Sequence, residues 1–193
     1  MNARIVALAV LGLVICSISI NARQATPLVP VPASAFKGTV MSVPDWGFSV
    51  ESPDKNWTWS WMKTEQAVLG LPLSLTQFVG SAPDDSERFL VSIVPPHPMG
   101  PLTRDGAEKY LRGLMSTRIK RGWTVGAPSC EPWSAFEGGW RCSFPTETPE
   151  QVEMLYVAYL VSAKHLYVLQ SLSAAKSEPS AFRTFVSSFK LLN

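Results

Sequence analysis

Ten residues in the C-terminal part of the sequence, Val152–Val161, constrain the fold most strongly. They are rich in β-branched and aromatic residues, and apolar side chains occupy both odd and even positions. Successive side chains of a strand point to opposite faces, so this pattern predicts a strand that is covered on both sides. A short polar connection at 162–164 and a second apolar run at 165–172 then predict an antiparallel hairpin.

Two amphipathic segments predict helices that pack on this hairpin. Residues 177–179, Ser-Glu-Pro, form a helix start, and Phe182, Phe185, Val186 and Phe189 follow at helical spacing. Earlier in the chain, Thr103 is a cap for an amphipathic segment that extends to residue 121, and Gly122 ends it. Because Val152–Val161 is apolar on both faces, the sequence predicts an α+β fold: an antiparallel β-sheet with helices packed on both faces, an α/β/α sandwich.

Further strands are predicted at 37–43, 47–51, 75–79 and 88–94. Between them, Trp57, Trp59 and Trp61 alternate with hydroxyl side chains, which places the three indoles on one face of a strand. Two interpretations follow: the buried face of a one-sided strand, or an aromatic platform for sugars or apolar ligands. The buried face is favoured, because alternation is typical of strands that line a core on one side.

The beginning of the sequence predicts export. Arg4 and an uncharged apolar run at 5–20, followed by small and polar residues, are typical of a signal peptide over residues 1–25. Residues 26–35 are rich in proline and predict an extended spacer, which leaves 36–193 as a single domain. The alternatives are an uncleaved anchor and a lipid anchor on Cys16, although the bulky Ile15 before this cysteine does not favour lipidation.

The charge balance argues against nucleic acid or an anionic membrane as a partner. The chain has 17 basic and 15 acidic residues, and cleavage after Ala25 removes two of the basic ones, so the remaining charges balance. The helix at 103–121 carries an excess of basic residues toward its C-terminal end, where the helix dipole favours cations. A solvated helix face therefore explains them better than an acidic partner does.

Cys130 and Cys142 are the only cysteines after residue 25, and in an exported chain such a pair predicts a disulfide bond. A metal site is disfavoured because structural zinc needs four ligands, and a redox role because the spacing is not Cys-x-x-Cys. Asn56 begins a match to the N-glycosylation sequon, which matters only in a eukaryotic source.

The sequence carries no familiar catalytic or cofactor motif, so no cofactor is expected. It has two histidines. His97 lies in the proline-rich stretch 95–101, which predicts a stiff surface loop, and His165 follows the hairpin turn. Neither histidine has a carboxylate partner at a recognisable spacing, so catalytic residues are not assigned.

The pattern resembles the PsbP/Mog1/DcrB-like superfamily of small α+β domains. The residues that carry this resemblance are the run 47–53 with Trp57 soon after, the long helix at 103–121 after a strand, and 166–169 followed by Phe182, Phe185, Ser188 and Phe189. The resemblance covers most of 36–192 and implies non-enzymatic roles, as accessory subunits, chaperone-like proteins or envelope-binding modules. The Cys130–Cys142 pair is not part of this family's general pattern.

These observations predict an exported, non-enzymatic binding or accessory protein that is periplasmic or secreted, with an unknown protein or small-molecule partner. The predicted contact surface comprises His97 and Met99 in the proline-rich loop and Trp133 in the loop between the cysteines, because stiff loops lose little entropy on binding. The alternatives are a small exported hydrolase with a scattered active site and a lipid-anchored envelope protein.

Overall fold

In the computed structural model, the described residues are 27–68, 71–95, 103–120, 122–148, 152–173 and 178–192. The predicted C-terminal hairpin is confirmed. Val152–Val161 pairs antiparallel with Leu166–Ser173, and the Ser162 hydroxyl closes the turn by accepting hydrogen bonds from the amides of Lys164 and His165. The helix that follows is also confirmed: it spans Ser180–Ser188 and begins directly after Pro179.

Strands dominate the described residues. In chain order they are β1 (Val29–Pro30), β2 (Phe36–Lys37), β3 (Val40–Val43), β4 (Phe48–Glu51), β5 (Thr58–Val68), β6 (Leu71–Ser81), β7 (Arg88–Val94), β8 (Thr124–Val125), β9 (Ser129–Pro132), β10 (Trp140–Glu147), β11 (Val152–Val161), β12 (Leu166–Ser173) and β13 (Lys190–Leu191). The helices are α1 (Arg104–Lys120) and α2 (Ser180–Ser188), with single 3₁₀ turns at Ala33–Ala35 and Pro44–Trp46.

The strands form two antiparallel sheets. Within the described part of the chain, the large sheet has the order β1-β5-β6-β7-β12-β11-β10-β8, and β9 also pairs with β10. The small sheet has the order β13-β4-β3-β2, so its strands come from both ends of the domain. Val29 and Pro30, which belong to the segment predicted to be a spacer, pair with Trp61 and Ser60 and add a short edge strand.

One face of the large sheet packs on the small sheet and on α2. We call this layer the two-sheet core; its members include Met41, Phe48, Trp59, Phe78, Phe89, Phe182, Phe185 and Phe189. Phe48 of the small sheet stacks on Phe189 at a centroid distance of 5.7 Å and meets Phe78 of the large sheet edge-on at 5.4 Å. These aromatic contacts join the two sheets and α2 into one apolar layer.

The opposite face of the large sheet packs on α1. This second layer, the α1 core, includes Leu75, Val94, Leu111, Leu114, Phe144, Leu155, Leu166 and Val168. Along β11, Leu155 and Val157 belong to the α1 core, whereas Tyr156 and Ala158 belong to the two-sheet core. These two layers explain why Val152–Val161 is apolar on both faces.

The helix predicted at 103–121 is confirmed at Arg104–Lys120. The Thr103 hydroxyl caps its start by accepting a hydrogen bond from the Gly106 amide at 3.2 Å.

The prediction of an α/β/α sandwich with helices on both faces of one sheet is nevertheless wrong. The described chain is mostly antiparallel β, α1 is its only long helix, and much of the layer opposite α1 is a second sheet. The physical reason lies in the length of the strands β2, β3, β4 and β13, which have two to four residues each. Segments this short carry no pattern that shows which sheet they join.

The alternating tryptophans line the core, as the favoured interpretation of the sequence has it. Trp59 is buried, and Trp57 and Trp61 are half-buried against the two-sheet core. The Trp57 ring lies 4.6 Å from that of Phe89, and the indole N–H of Trp59 donates to the Ser52 hydroxyl at 3.1 Å. The described chain therefore offers no exposed platform of three indoles.

Candidate binding cleft

The predicted disulfide is present. Cys130 and Cys142 face each other in the β9–β10 ladder, with Cα atoms 4.1 Å apart and a sulfur–sulfur bond of 2.08 Å. The bridge therefore fixes β9, an edge strand with exposed side chains, to the more buried β10. The disulfide is compatible with an extracytoplasmic location.

Trp133, one of the three predicted contact residues, lies in the turn between these two strands and is only 4% exposed. Its amide donates to the Gly139 carbonyl at 2.8 Å, and its ring meets Phe136 edge-on at 4.7 Å. Phe189 lies 6.0 Å away, so the indole anchors the turn to the two-sheet core. A partner would have to displace the turn to reach this ring. The other two predicted contact residues, His97 and Met99, lie outside the described residues.

His165 is half-buried at the end of the hairpin turn. Its Nδ1 atom lies 3.3 Å from the hydroxyl of Tyr167, and that hydroxyl donates to the Trp46 carbonyl at 2.9 Å. Burial, together with the nearby charge of Lys164, lowers the pKa of His165 below its ordinary value. The Tyr167 hydroxyl therefore joins the hairpin to the turn before β4, and the described partner of the His165 ring is this tyrosine rather than a carboxylate.

A concavity among the described residues lies beside the disulfide. It is a cleft of about 190 Å³ between β9, β10, β11 and the start of α2. Its lining residues include the hydroxyl side chains of Ser129, Ser143 and Tyr156, the charged side chains of Glu131, Arg141 and Glu178, and the ring of Phe182.

Four charged residues form a network along one wall of the cleft. Nη2 of Arg141 donates to both carboxylate oxygens of Glu178, with a distance of 2.6 Å to Oε1. Nη1 of Arg141 lies 3.6 Å from the Glu131 carboxylate, and Nε of Arg183 lies 3.2 Å from that of Glu178. Glu178 is only 16% exposed, so this network fastens the start of α2 to β10 in a partly water-excluded place.

The cleft presents hydrogen-bonding groups rather than an activated nucleophile. Arg141 supplies donors and is 26% exposed, and Glu131 supplies acceptors and is 69% exposed. The hydroxyls of Ser129 and Ser143 can either donate or accept a hydrogen bond. Burial, with the Glu178 charge as a second cause, raises the pKa of Tyr156 above its ordinary value, which keeps its hydroxyl protonated. Of the described residues that line the cleft, none is a histidine. In the described ranges, no group of three or more His, Cys, Asp and Glu side chains could hold a metal ion.

Sequence reasoning did not find this cleft. Arg141 and Glu178 are 37 residues apart, and no local pattern marks an ion pair between a strand and a distant helix start. The cysteine pair was the one sequence feature related to the cleft, because the disulfide sets the position of β9 and hence of Ser129 and Glu131.

No protein-family model and no curated protein matches this sequence. Across the described part of the chain, none of the helices has the length and apolar character needed to cross a membrane.

Proposed function

We propose that the protein is an exported, non-enzymatic binding or accessory protein, and that the cleft beside the disulfide is its binding site. The observation that carries this proposal is the gathering of six polar side chains around a concavity next to a covalently fixed edge strand. A fixed strand keeps its side chains in place before a ligand arrives, which lowers the entropy lost on binding.

The size and chemistry of the cleft define the ligand class. Sites for drug-sized molecules have volumes of roughly 300 to 1,000 Å³. The cleft is smaller, at about 190 Å³, and matches a group of amino-acid size. The partly exposed guanidinium of Arg141 and the exposed carboxylate of Glu131 favour a ligand that carries both an acceptor and a donor, either as a small molecule or as a side chain of a partner protein.

The test places a bulky side chain in the cleft by a substitution at an exposed residue, so that the core is unchanged. Ser129 is exposed on β9, so Ser129→Trp should occupy the cleft without unfolding the chain. Thr124→Trp on β8, also exposed but absent from the cleft lining, is the matched control. Each variant is used as bait on extracts of the native envelope, and small molecules carried by the purified protein are identified by native mass spectrometry. We expect the ligand seen with the unmodified protein and with Thr124→Trp to be lost with Ser129→Trp. Its retention by Ser129→Trp would refute the cleft as the site.

The two alternatives have no support among the described residues. A hydrolase would need His97, which lies outside them, or His165, whose backbone amide donates to the Ser162 hydroxyl and whose ring lies beside the Tyr167 hydroxyl. Turnover of ester or peptide substrates that is lost in either His97→Ala or His165→Ala would favour the hydrolase over the binding protein. A lipid anchor would need Cys16, also outside the described residues, and mass spectrometry of the native N-terminus decides it.

A further inference from the structure

The strand β5 extends past its outer neighbour. β5 pairs with β6 along its whole length, from Thr58↔Ser81 to Val68↔Leu71, but its pairing with β1 covers only Ser60 and Trp61. Within the described part of the chain, no strand pairs with the outer side of β5 at residues 62–68. An open edge of this length presents a row of backbone donors and acceptors to any strand that can lie beside it.

The hydrogen-bond pattern shows which residues present these groups. The amide of Val31 donates to the carbonyl of Trp59 at 2.9 Å across the outer edge of β5. In an antiparallel ladder, alternate residues direct both backbone groups to the same side. Lys63 and Glu65 therefore present their N–H and C=O groups outward, and Thr64 between them directs its own toward β6.

The charged side chains on this open edge of one copy complement those on the same edge of a second copy. Lys63 and Glu65 are both exposed and lie on the same face of β5, because they are two residues apart. When two copies of β5 pair antiparallel with Thr64 opposite Thr64, Lys63 of each copy lies opposite Glu65 of the other. The two backbones then form hydrogen-bonded pairs at these positions, and the two ion pairs reinforce the same register.

We propose that a second copy of this chain pairs with the open edge of β5, in the antiparallel register centred on Thr64. The paired window is residues 62–66, which begins directly after the residue that β1 covers. Met62 then lies opposite Gln66, Lys63 opposite Glu65, and the two Thr64 residues opposite each other as a close, non-hydrogen-bonded pair. The large sheets of the two copies become continuous across this short interface. So short an interface forms a weak and reversible dimer.

The first experiment uses charge reversal in the native, exported form of the protein. Sedimentation equilibrium up to a concentration of about 1 mM measures the dissociation constant of the dimer. Lys63→Glu replaces both ion pairs by repulsive pairs and should weaken the dimer by about tenfold or more, and Glu65→Lys should do the same. The double reversal Lys63→Glu/Glu65→Lys restores both ion pairs and should restore the dimer. Lys37→Glu, an equal charge change on exposed β2, is the control and should leave the dimer intact.

The second experiment tests the register. Thr64→Cys places two sulfur atoms across the close pair, where Cα atoms about 4.5 Å apart suit a disulfide. We expect rapid oxidation of this variant to a covalent dimer. Ser74→Cys, exposed on the adjacent strand β6, is the control and should form no covalent dimer under the same conditions.

Three results would overturn the proposal. A protein that stays monomeric up to about 1 mM would show that Lys63 and Glu65 only keep the edge soluble, as charges on edge strands commonly do. A dimer that the double reversal does not restore would lie on another surface. Capture of an extended peptide on β5 by a monomeric protein would assign the edge to a different partner.

Discussion

The disulfide gives the most quantitative prediction. Cys130 and Cys142 are separated by 12 residues in the sequence. In the chain-entropy model, a closed loop of this size removes enough freedom from the unfolded chain to stabilise the fold by about 2.8 kcal/mol at 25 °C. Reduction of the bridge should therefore lower the free energy of unfolding by about that amount, and the double variant Cys130→Ala/Cys142→Ala by about 1 kcal/mol more, since it also removes the buried Cys142 sulfur.

Urea unfolding, followed by tryptophan fluorescence and by circular dichroism, provides the measurement. It compares the oxidised protein, the reduced protein and the double variant. The dependence of the free energy of unfolding on urea concentration should become steeper when the disulfide is reduced, because an unfolded chain without the crosslink exposes more surface. A loss below about 1 kcal/mol on reduction would refute the entropic argument. It would mean that the turn around Trp133 stays closed in the unfolded chain without the bridge.

Three further predictions concern single side chains. Gly80→Ala should destabilise the fold by about 1 to 3 kcal/mol, measured by thermal unfolding, because an added Cβ would lie 2.6 Å from the Trp59 ring; a stable variant would show that the ring can move aside. Glu178→Gln should cost about 1 to 3 kcal/mol, since it removes the nearest charged partner of Arg141 and leaves only Glu131, 3.6 Å away, and no loss in urea unfolding would show that the Arg141–Glu178 pair contributes nothing. Folding lowers the pKa of His165, so the unfolded state binds more protons than the folded state. The stability that neutral His165 contributes is therefore complete above the ordinary pKa of histidine, and it falls as the pH decreases through and below that value. His165→Gln should flatten this part of the stability profile between about pH 7 and 5.5, and an unchanged profile would contradict the assignment.

The sequence predicted those elements whose evidence is local. The pattern of Val152–Val161 predicted both a strand and its two covered faces, because apolar residues occupy odd and even positions over ten residues. Helix α1 was found from its capping threonine and apolar spacing, and the disulfide from the count of cysteines.

The parts that sequence reasoning missed depend on contacts between distant residues. The small sheet pairs Lys190 with Ser49, and two residues of a strand have no detectable period. The cleft depends on an ion pair between β10 and the start of α2, which charge patterns within either segment do not reveal. Trp133 was predicted as a contact residue because it lies in a loop, but its ring turns inward onto Phe189, and the sequence does not indicate that direction.

The small sheet also determines when folding can finish. The Ser188 hydroxyl accepts from the amide of Glu51, 137 residues earlier, and the Leu192 amide donates to the Gly47 carbonyl at 2.8 Å. These pairings cannot form until the ribosome has made Leu192 and the residue has left the exit tunnel. Until then, Met41, Phe48 and Val50 have no complete apolar layer to pack on, and they remain accessible to chaperones. The two-sheet core therefore stays incomplete until Leu192 has been made.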